Sequence, residues 1–211
     1  MKNNILYLII SLFISGTALA GAYDDILNAA RNGDTDTVLS FLQRGMDVNT
    51  SDADGTSLLM IAVRNGNEAL VDKLLEQHAS VNRRNRFGDA ALALAALKGQ
   101  LIIANQLLAA GAEVDPPGWT PLHYAAYGGH RVLVSLLLER GAKIDKRAPN
   151  GQTALMLAAS QGHMEVVQAL VNAHAKTDLL DHAGKDARAL ALQHGETDIA
   201  DYLQRLAGPA R

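Results

Sequence analysis

Apolar residues recur in pairs of short helical stripes along the chain, each pair closed by glycine. Small residues come first: Ala29-Ala30, Ala62-Val63, Ala95-Ala96, Ala125-Ala126 and Ala158-Ala159. Bulkier stripes follow at helical spacing on one face: Val38, Leu39 and Leu42; Leu70, Val71, Leu74 and Leu75; Ile102, Ile103, Leu107 and Leu108; Leu133, Val134, Leu136 and Leu137; Val166, Val167 and Leu170; Ile199, Tyr202 and Leu203. Between the two stripes of each pair stands a glycine, at 33, 66, 99, 129, 162 and 195. Its spacing is 33 residues except for one step of 30, from Gly99 to Gly129. This pattern predicts about six units, each a short inner helix, a break and a longer outer helix. Small residues let neighbouring inner helices approach closely, and stacking buries the stripe that one unit cannot bury alone.

A second set of marks ends each outer helix, twelve residues after the first glycine. Gly45, Gly111 and Gly141 stand there, with His78 and His174 in the second and fifth units. The position calls for a left-handed backbone, which glycine adopts without penalty and histidine tolerates better than most residues. Gly55, Gly88, Gly118, Gly151 and Gly184 then mark turns between units, predicted as β-hairpin loops. The tract from helix end to turn is ten residues in four junctions and seven from Gly111 to Gly118, where Pro116-Pro117 weakens hairpin pairing. A stunted finger is expected there.

The stretch Thr120-Pro121-Leu122-His123-Tyr124-Ala125-Ala126 resembles the T-P-L-H-x-A signature of the ankyrin repeat, whose period is 33 residues. The resemblance implies an all-α repeat solenoid of helix-turn-helix units joined by β-hairpin loops. On this reading, residues 21–208 form one ankyrin-repeat domain. Its units fall at about 21–52, 53–85, 86–115, 116–148, 149–181 and 182–208. The end units depart from the motif, as solenoid caps must show polar faces to water. Arg188 stands where other units place Leu59, Leu92, Leu122 and Leu155, so it is expected on an exposed end. His123, His130 and His163 belong to the repeat pattern, whereas the repeat gives no account of His182 and His194. Gly208 to Arg211 is expected to be a frayed tail.

Before the repeats, Lys2 precedes an uncharged run from Ile5 to Ile14 that ends in Ala18-Leu19-Ala20. A basic start, an apolar centre and an A-x-A end predict a secretory signal peptide over 1–20, with Ala20-Gly21-Ala22 a second possible cleavage point. The run is too short to span a bilayer well. A cleaved, periplasmic protein without membrane insertion is expected. The sequence has no cysteine, which excludes disulfides and cysteine-bound zinc. Lys2 is the only charge in 1–20, so the rest holds 18 basic and 22 acidic residues, and no basic surface for nucleic acid is indicated.

No G-x-S-x-G, H-E-x-x-H or phosphate loop occurs, so no catalytic residues, metal or cofactor are assigned. By resemblance, ankyrin proteins are mostly non-enzymatic recognition modules that bind through hairpin tips and the exposed ends of inner helices. Aligned positions are the two residues before each inter-helix glycine and the one after each turn glycine. They include Arg64, Asn65, Leu97, Lys98, Tyr127, Ser160 and Gln161, together with Thr56, Asp89, Trp119 and Gln152. Arg86 joins them from the cluster Arg83, Arg84 and Arg86 on one hairpin. Trp, Tyr and Arg dominate interface hot spots, which makes Trp119 and Tyr127 candidate anchors, the alternative for Trp119 being a cover over the short hairpin. The expected function is a monomeric module that binds one exported protein, either assisting a periplasmic enzyme such as a catalase or neutralising a toxin. A small-ligand receptor or a self-associating envelope protein is the alternative.

Overall fold

The computed structural model describes residues 21–206. The expected signal peptide over 1–20 and the expected tail from Gly208 to Arg211 lie outside the described residues. The chain divides into two compact units, one ending at Ser80 and one beginning at Val81.

In the first unit, residues 21–31 are helical (α1). They are followed by α2 (Thr35–Gln43), α3 (Leu58–Asn65) and α4 (Glu68–Glu76). The second unit holds α5 (Ala91–Leu97), α6 (Leu101–Ala109), α7 (Pro121–Tyr127) and α8 (Arg131–Glu139). It continues with α9 (Ala154–Ser160), α10 (Met164–Asn172), α11 (Ala187–Gln193) and α12 (Thr197–Leu206). In the second unit α5, α7, α9 and α11 stack in sequence order as an inner layer, and α6, α8 and α10 stack outside them. In the first, α3 packs on α4 and α2 on α4. This is the helical-repeat architecture that the stripes predict.

The inner layer packs closely because its facing residues are small. Ala95, Ala96, Ala125, Ala126, Ala158 and Ala159 are all buried without remaining exposure. Leu107, Leu133, Leu137 and Leu170 fill the space behind them. Ile102 corrects the expected stripe: it is 57% exposed, while Ile103 beside it is buried. Leu39, Leu75, Leu108 and Leu136 are half-buried at the margin of the stripe. Arg188 is exposed, as its place in the last unit predicts, whereas Leu59, Leu92, Leu122 and Leu155 are buried.

The inner helices α3, α7, α9 and α11 start on side-chain caps, whereas α5, with Ala90 at that place, does not. Ser57, Thr120, Thr153 and Asp186 accept the backbone N–H of Met60, His123, Met156 and Ala189. Such caps satisfy donors that a helix start leaves without partners. The outer-helix ends behave as the sequence implies. His78 and His174 have φ of 61° and 65°, matching Gly45, Gly111 and Gly141 in the left-handed region.

The junctions differ from expectation. Among the described residues they carry no β-strand, only one isolated antiparallel bridge between Ser51 and Ser57. Four of the five fingers close as a tight turn instead. Asp52, Asn85, Ala148 and Asp181 each donate N–H to the carbonyl four residues on and accept, at their own carbonyl, the N–H of the turn glycine. Asp52, Asn85 and Asp181 add Oδ1, which takes the N–H groups two and four residues later. A side chain that satisfies the local backbone removes the need for a longer ladder.

A second set of side chains joins successive fingers within each unit. Asn49 Oδ1 accepts Ser80 N–H in the first unit. In the second, Asn82 accepts from Glu113, Asp115 from Lys143 and Asp145 from Lys176, all at 2.8–3.0 Å.

Candidate partner-binding surface

The short finger lies in the middle of the second unit. Its turn is held by side chains from both flanking fingers. Lys146 Nζ donates to the carbonyls of Asp115 at 2.7 Å and Pro116 at 3.0 Å. From the other side, Arg84 Nη1 donates to Pro117 O at 3.0 Å. Two prolines supply no N–H for a turn, so the free carbonyls are taken up by cations. The stunted finger that the sequence predicts is thus an ordered feature with two clamps.

Trp119 follows this turn and is half-buried. Its ring meets His123 edge-on at 5.7 Å between centroids and lies tilted against Tyr124 at 5.8 Å. It lines a narrow cleft together with Asn82, Arg84, Pro116 and Pro121. The indole therefore covers the shortened finger while keeping part of its face open. Tyr124, which sequence reasoning passed over, donates its hydroxyl to Asp89 Oδ1 at 2.9 Å. Burial, then the Asp89 carboxylate, pushes the Tyr124 phenol up to about 12. A phenol that must leave water and face an anion resists ionisation.

His123 lies below, buried against the finger that follows. Its Nδ1 takes the Thr120 N–H at 3.0 Å, and its Nε2 donates to Lys146 O at 2.9 Å. Burial lowers its pKa below the ordinary imidazole value, partly countered by hydrogen bonds to backbone and further lowered by Lys146. Its role is structural: it ties α7 to the next finger.

The other predicted positions fall into three groups. In the first unit Arg64 and Asn65 are exposed, but Asn65 is committed, since Nδ2 donates to the carbonyls of Ala30 and Arg31. They share a shallow cleft with Arg31, whose guanidinium pairs with Asp52 at 3.2 Å. In the second unit Leu97, Lys98, Tyr127, Gln161 and Arg86 are exposed, with Tyr127 at 45%. Asp89, Trp119 and Gln152 are half-buried. Two aligned groove positions are corrections. Thr56 and Ser160 are buried at 3% and 7%; Thr56 is drawn in by the Asp52 turn, and Ser160 turns its hydroxyl to Leu157 O.

The chain ends of α5 and α7 are fixed by histidines of the following unit. His130 Nε2 donates to Leu97 O at 3.0 Å, and His163 Nε2 to Tyr127 O at 2.9 Å. These rings pack over Gly99 and Gly129, where a Cβ would come within 2.5 and 2.7 Å of them. The remaining two histidines gain an account that the sequence withheld. His182 packs over Gly151 and donates its N–H to Asn150 O, and His194 Nδ1 donates to Leu190 O.

Sequence reasoning also missed Phe87, the turn residue before Gly88. It is 65% exposed, and the Arg86 guanidinium stands 4.7 Å above its ring. The only available signal was an aromatic at a turn tip, which the repeat does not require.

Stacked helix pairs with ordered turns and an exposed apolar-cationic rim define a helical-repeat interaction scaffold. A family model described as ankyrin repeats (3 copies) matches residues 26–117, 59–148, 103–181 and 140–208, so the chain belongs to the ankyrin-repeat family. The comparison with curated proteins returns no match. Ankyrin repeats are in general protein–protein interaction modules, typically without enzymatic activity, and a protein partner follows at that level. Among the described residues, no helix is long and apolar enough to cross a membrane, and no group of three or more His, Asp or Glu side chains could hold a metal.

Proposed function

We propose that this protein is a non-enzymatic, exported interaction module that binds one protein of the periplasm. The observation that carries the proposal is the exposure of Leu97 and Tyr127 at the ends of consecutive stacked helices, α5 and α7, with the half-buried Trp119 just ahead of the start of α7. Large apolar side chains at positions the repeat leaves variable are interface material. The export reading rests on the pattern of residues 1–20 alone. Two roles suit such a module: assisting a stress-defence enzyme such as a catalase, or neutralising a toxin that reaches the periplasm.

Affinity capture from periplasmic extract tests this, with the Trp119→Ala/Tyr127→Ala protein as control. One abundant partner, lost in the control, is the expected result. A redox enzyme of the host would identify a helper, and a secreted toxin an immunity protein. Equal recovery on both baits sinks the reading. Self-association has one observation in its favour. Leu101 and Val132, on α6 and α8, line one cleft, and Ile102 next to Leu101 is exposed as well. Sedimentation equilibrium decides it: a monomer is expected.

A further inference from the structure

The first two inner helices end on the same cation. Arg31 closes α1 and Arg64 stands in the last turn of α3, each two residues before the inter-helix glycine. The same place holds Leu97, Tyr127, Ser160 and Gln193 in the later repeats. A cation is favoured near a helix C-terminus, which accounts for either arginine singly. It does not account for two of them on one cleft. That cleft is lined by Arg31, Asp52, Thr56, Ile61, Arg64 and Asn65. Asn65 Nδ2 donates to Arg31 O at 2.9 Å, which ties the end of α3 to the end of α1. The two arginines therefore leave neighbouring helix ends.

Asp52 is the one acid that lines the cleft, and both its oxygens are in use. Oδ1 takes the N–H groups of Asp54 and Thr56 at 3.0 and 2.9 Å, and Oδ2 pairs with Arg31 Nη2 at 3.2 Å. Arg31 Nη1 also donates to Asn28 Oδ1 at 3.3 Å. Arg31 is thus held in place by two contacts, out of the five N–H donors that a guanidinium offers. Arg64 is exposed and makes no hydrogen bond or ion pair among the described residues. The cleft sets two positive charges against one negative. Like charges that share a cleft repel, and a further negative group relieves that repulsion. The planar fork of a guanidinium matches the two oxygens of a carboxylate, which makes this the strong form of such a contact.

We infer that this cleft receives a carboxylate of the bound protein, an Asp or Glu side chain, between Arg64 and Arg31. Arg64 supplies its unused fork. Arg31, positioned by Asp52 and Asn28, supplies the second cation. Charge complementarity of this kind fixes the register of a partner on a surface more than it adds raw affinity. The inference rests on the binding-module reading and specifies one contact of its partner.

The test titrates the isotope-labelled protein, read by NMR at its arginine Nε–H signals, with the capped tripeptide Gly-Glu-Gly and with Gly-Gln-Gly as control. The Glu peptide should move the Arg64 and Arg31 signals to saturation, and the Gln peptide should not. Arg64→Gln should raise the half-saturating concentration about tenfold, read at Arg31. Arg64→Lys keeps the charge but loses the fork, and should fall between the two. Arg64 bonds to no described residue, so thermal unfolding of both variants should match the parent. Equal response to the two peptides overturns the inference. So does a response at Arg44, which does not line the cleft, as large as that at Arg64. Inorganic phosphate tests the other source of a negative group. If phosphate saturates the two signals and the Glu peptide does not, the cleft is a small-anion site and the inference falls. Its failure is separable from that of the broader proposal. A captured periplasmic partner lost with Trp119→Ala/Tyr127→Ala but retained in full by Arg64→Gln would leave the module standing and remove this contact.

Discussion

Tyr124 donates its hydroxyl to Asp89 across 2.9 Å, joining the inner helix α7 to the finger of the preceding repeat 35 residues earlier. The bond also sets the floor on which Trp119 lies. Replacing Tyr124 with Phe removes the donor and leaves a half-buried carboxylate to rely on water. A loss of about 1 kcal/mol is expected from urea unfolding. The phenol gives a second readout. Its folded pKa lies above the ordinary value of 10, so its contribution to stability is intact below pH 10 and is lost as pH rises through about 12. Ultraviolet titration should show a tyrosine ionising at about pH 12, absent in Tyr124→Phe. An identical titration curve for Tyr124→Phe in that range would contradict the geometry.

His174 offers a test of backbone strain. Its φ of 65° is in the region where a Cβ crowds the carbonyl, and Gly141 holds the matching place in the unit before at 87°. His174→Gly should raise stability, by up to about 1 kcal/mol after the greater freedom of glycine in the unfolded chain is counted. Gly141→Ala should lower it by a similar amount. Thermal melts of the two variants moving in the same direction would show that φ does not control these sites.

Lys146 clamps the short finger through two carbonyls. Lys146→Met keeps the aliphatic stem and removes both charge-assisted bonds. We expect a loss of about 2 kcal/mol and faster amide hydrogen exchange at Gly118 and Trp119. Protection unchanged at those amides would mean that Pro116 and Pro117 hold the turn unaided.

His123 sets an acid limit. Burial keeps its folded pKa below the ordinary 6.5. The unfolded chain therefore takes up a proton before the folded one does, and stability present above pH 6.5 declines as pH falls through the lowered value. His123→Gln should be less stable than the parent near neutrality but flatter in its acid dependence. Urea midpoints compared at about pH 7.5 and about pH 5 check this. Parallel curves for the two proteins would assign the acid sensitivity to other groups.

The repeat was legible in the sequence because its rules are local. A left-handed break after each helix accepts only glycine or a tolerant residue such as His78 or His174, and both kinds recur at fixed distance. Alanine pairs mark the inner helices because only small side chains let helices pack so closely, and all of those residues except Ala29 are buried without remaining exposure. The three-residue deletion before Gly118 was equally plain from counting. The family follows from that period and the motif at Thr120.

Contacts between distant residues decided the rest. Nothing local says that Thr56 and Ser160 turn inward at groove positions, that Ile102 faces out beside Ile103, or that Asn65 spends its amide on Ala30 and Arg31. Tyr124 meets Asp89, and Lys146 meets Pro116, only because stacking places residues about 30 apart side by side. A repeat encodes its own backbone unit by unit, while the character of its surface is settled by what each unit meets in its neighbour.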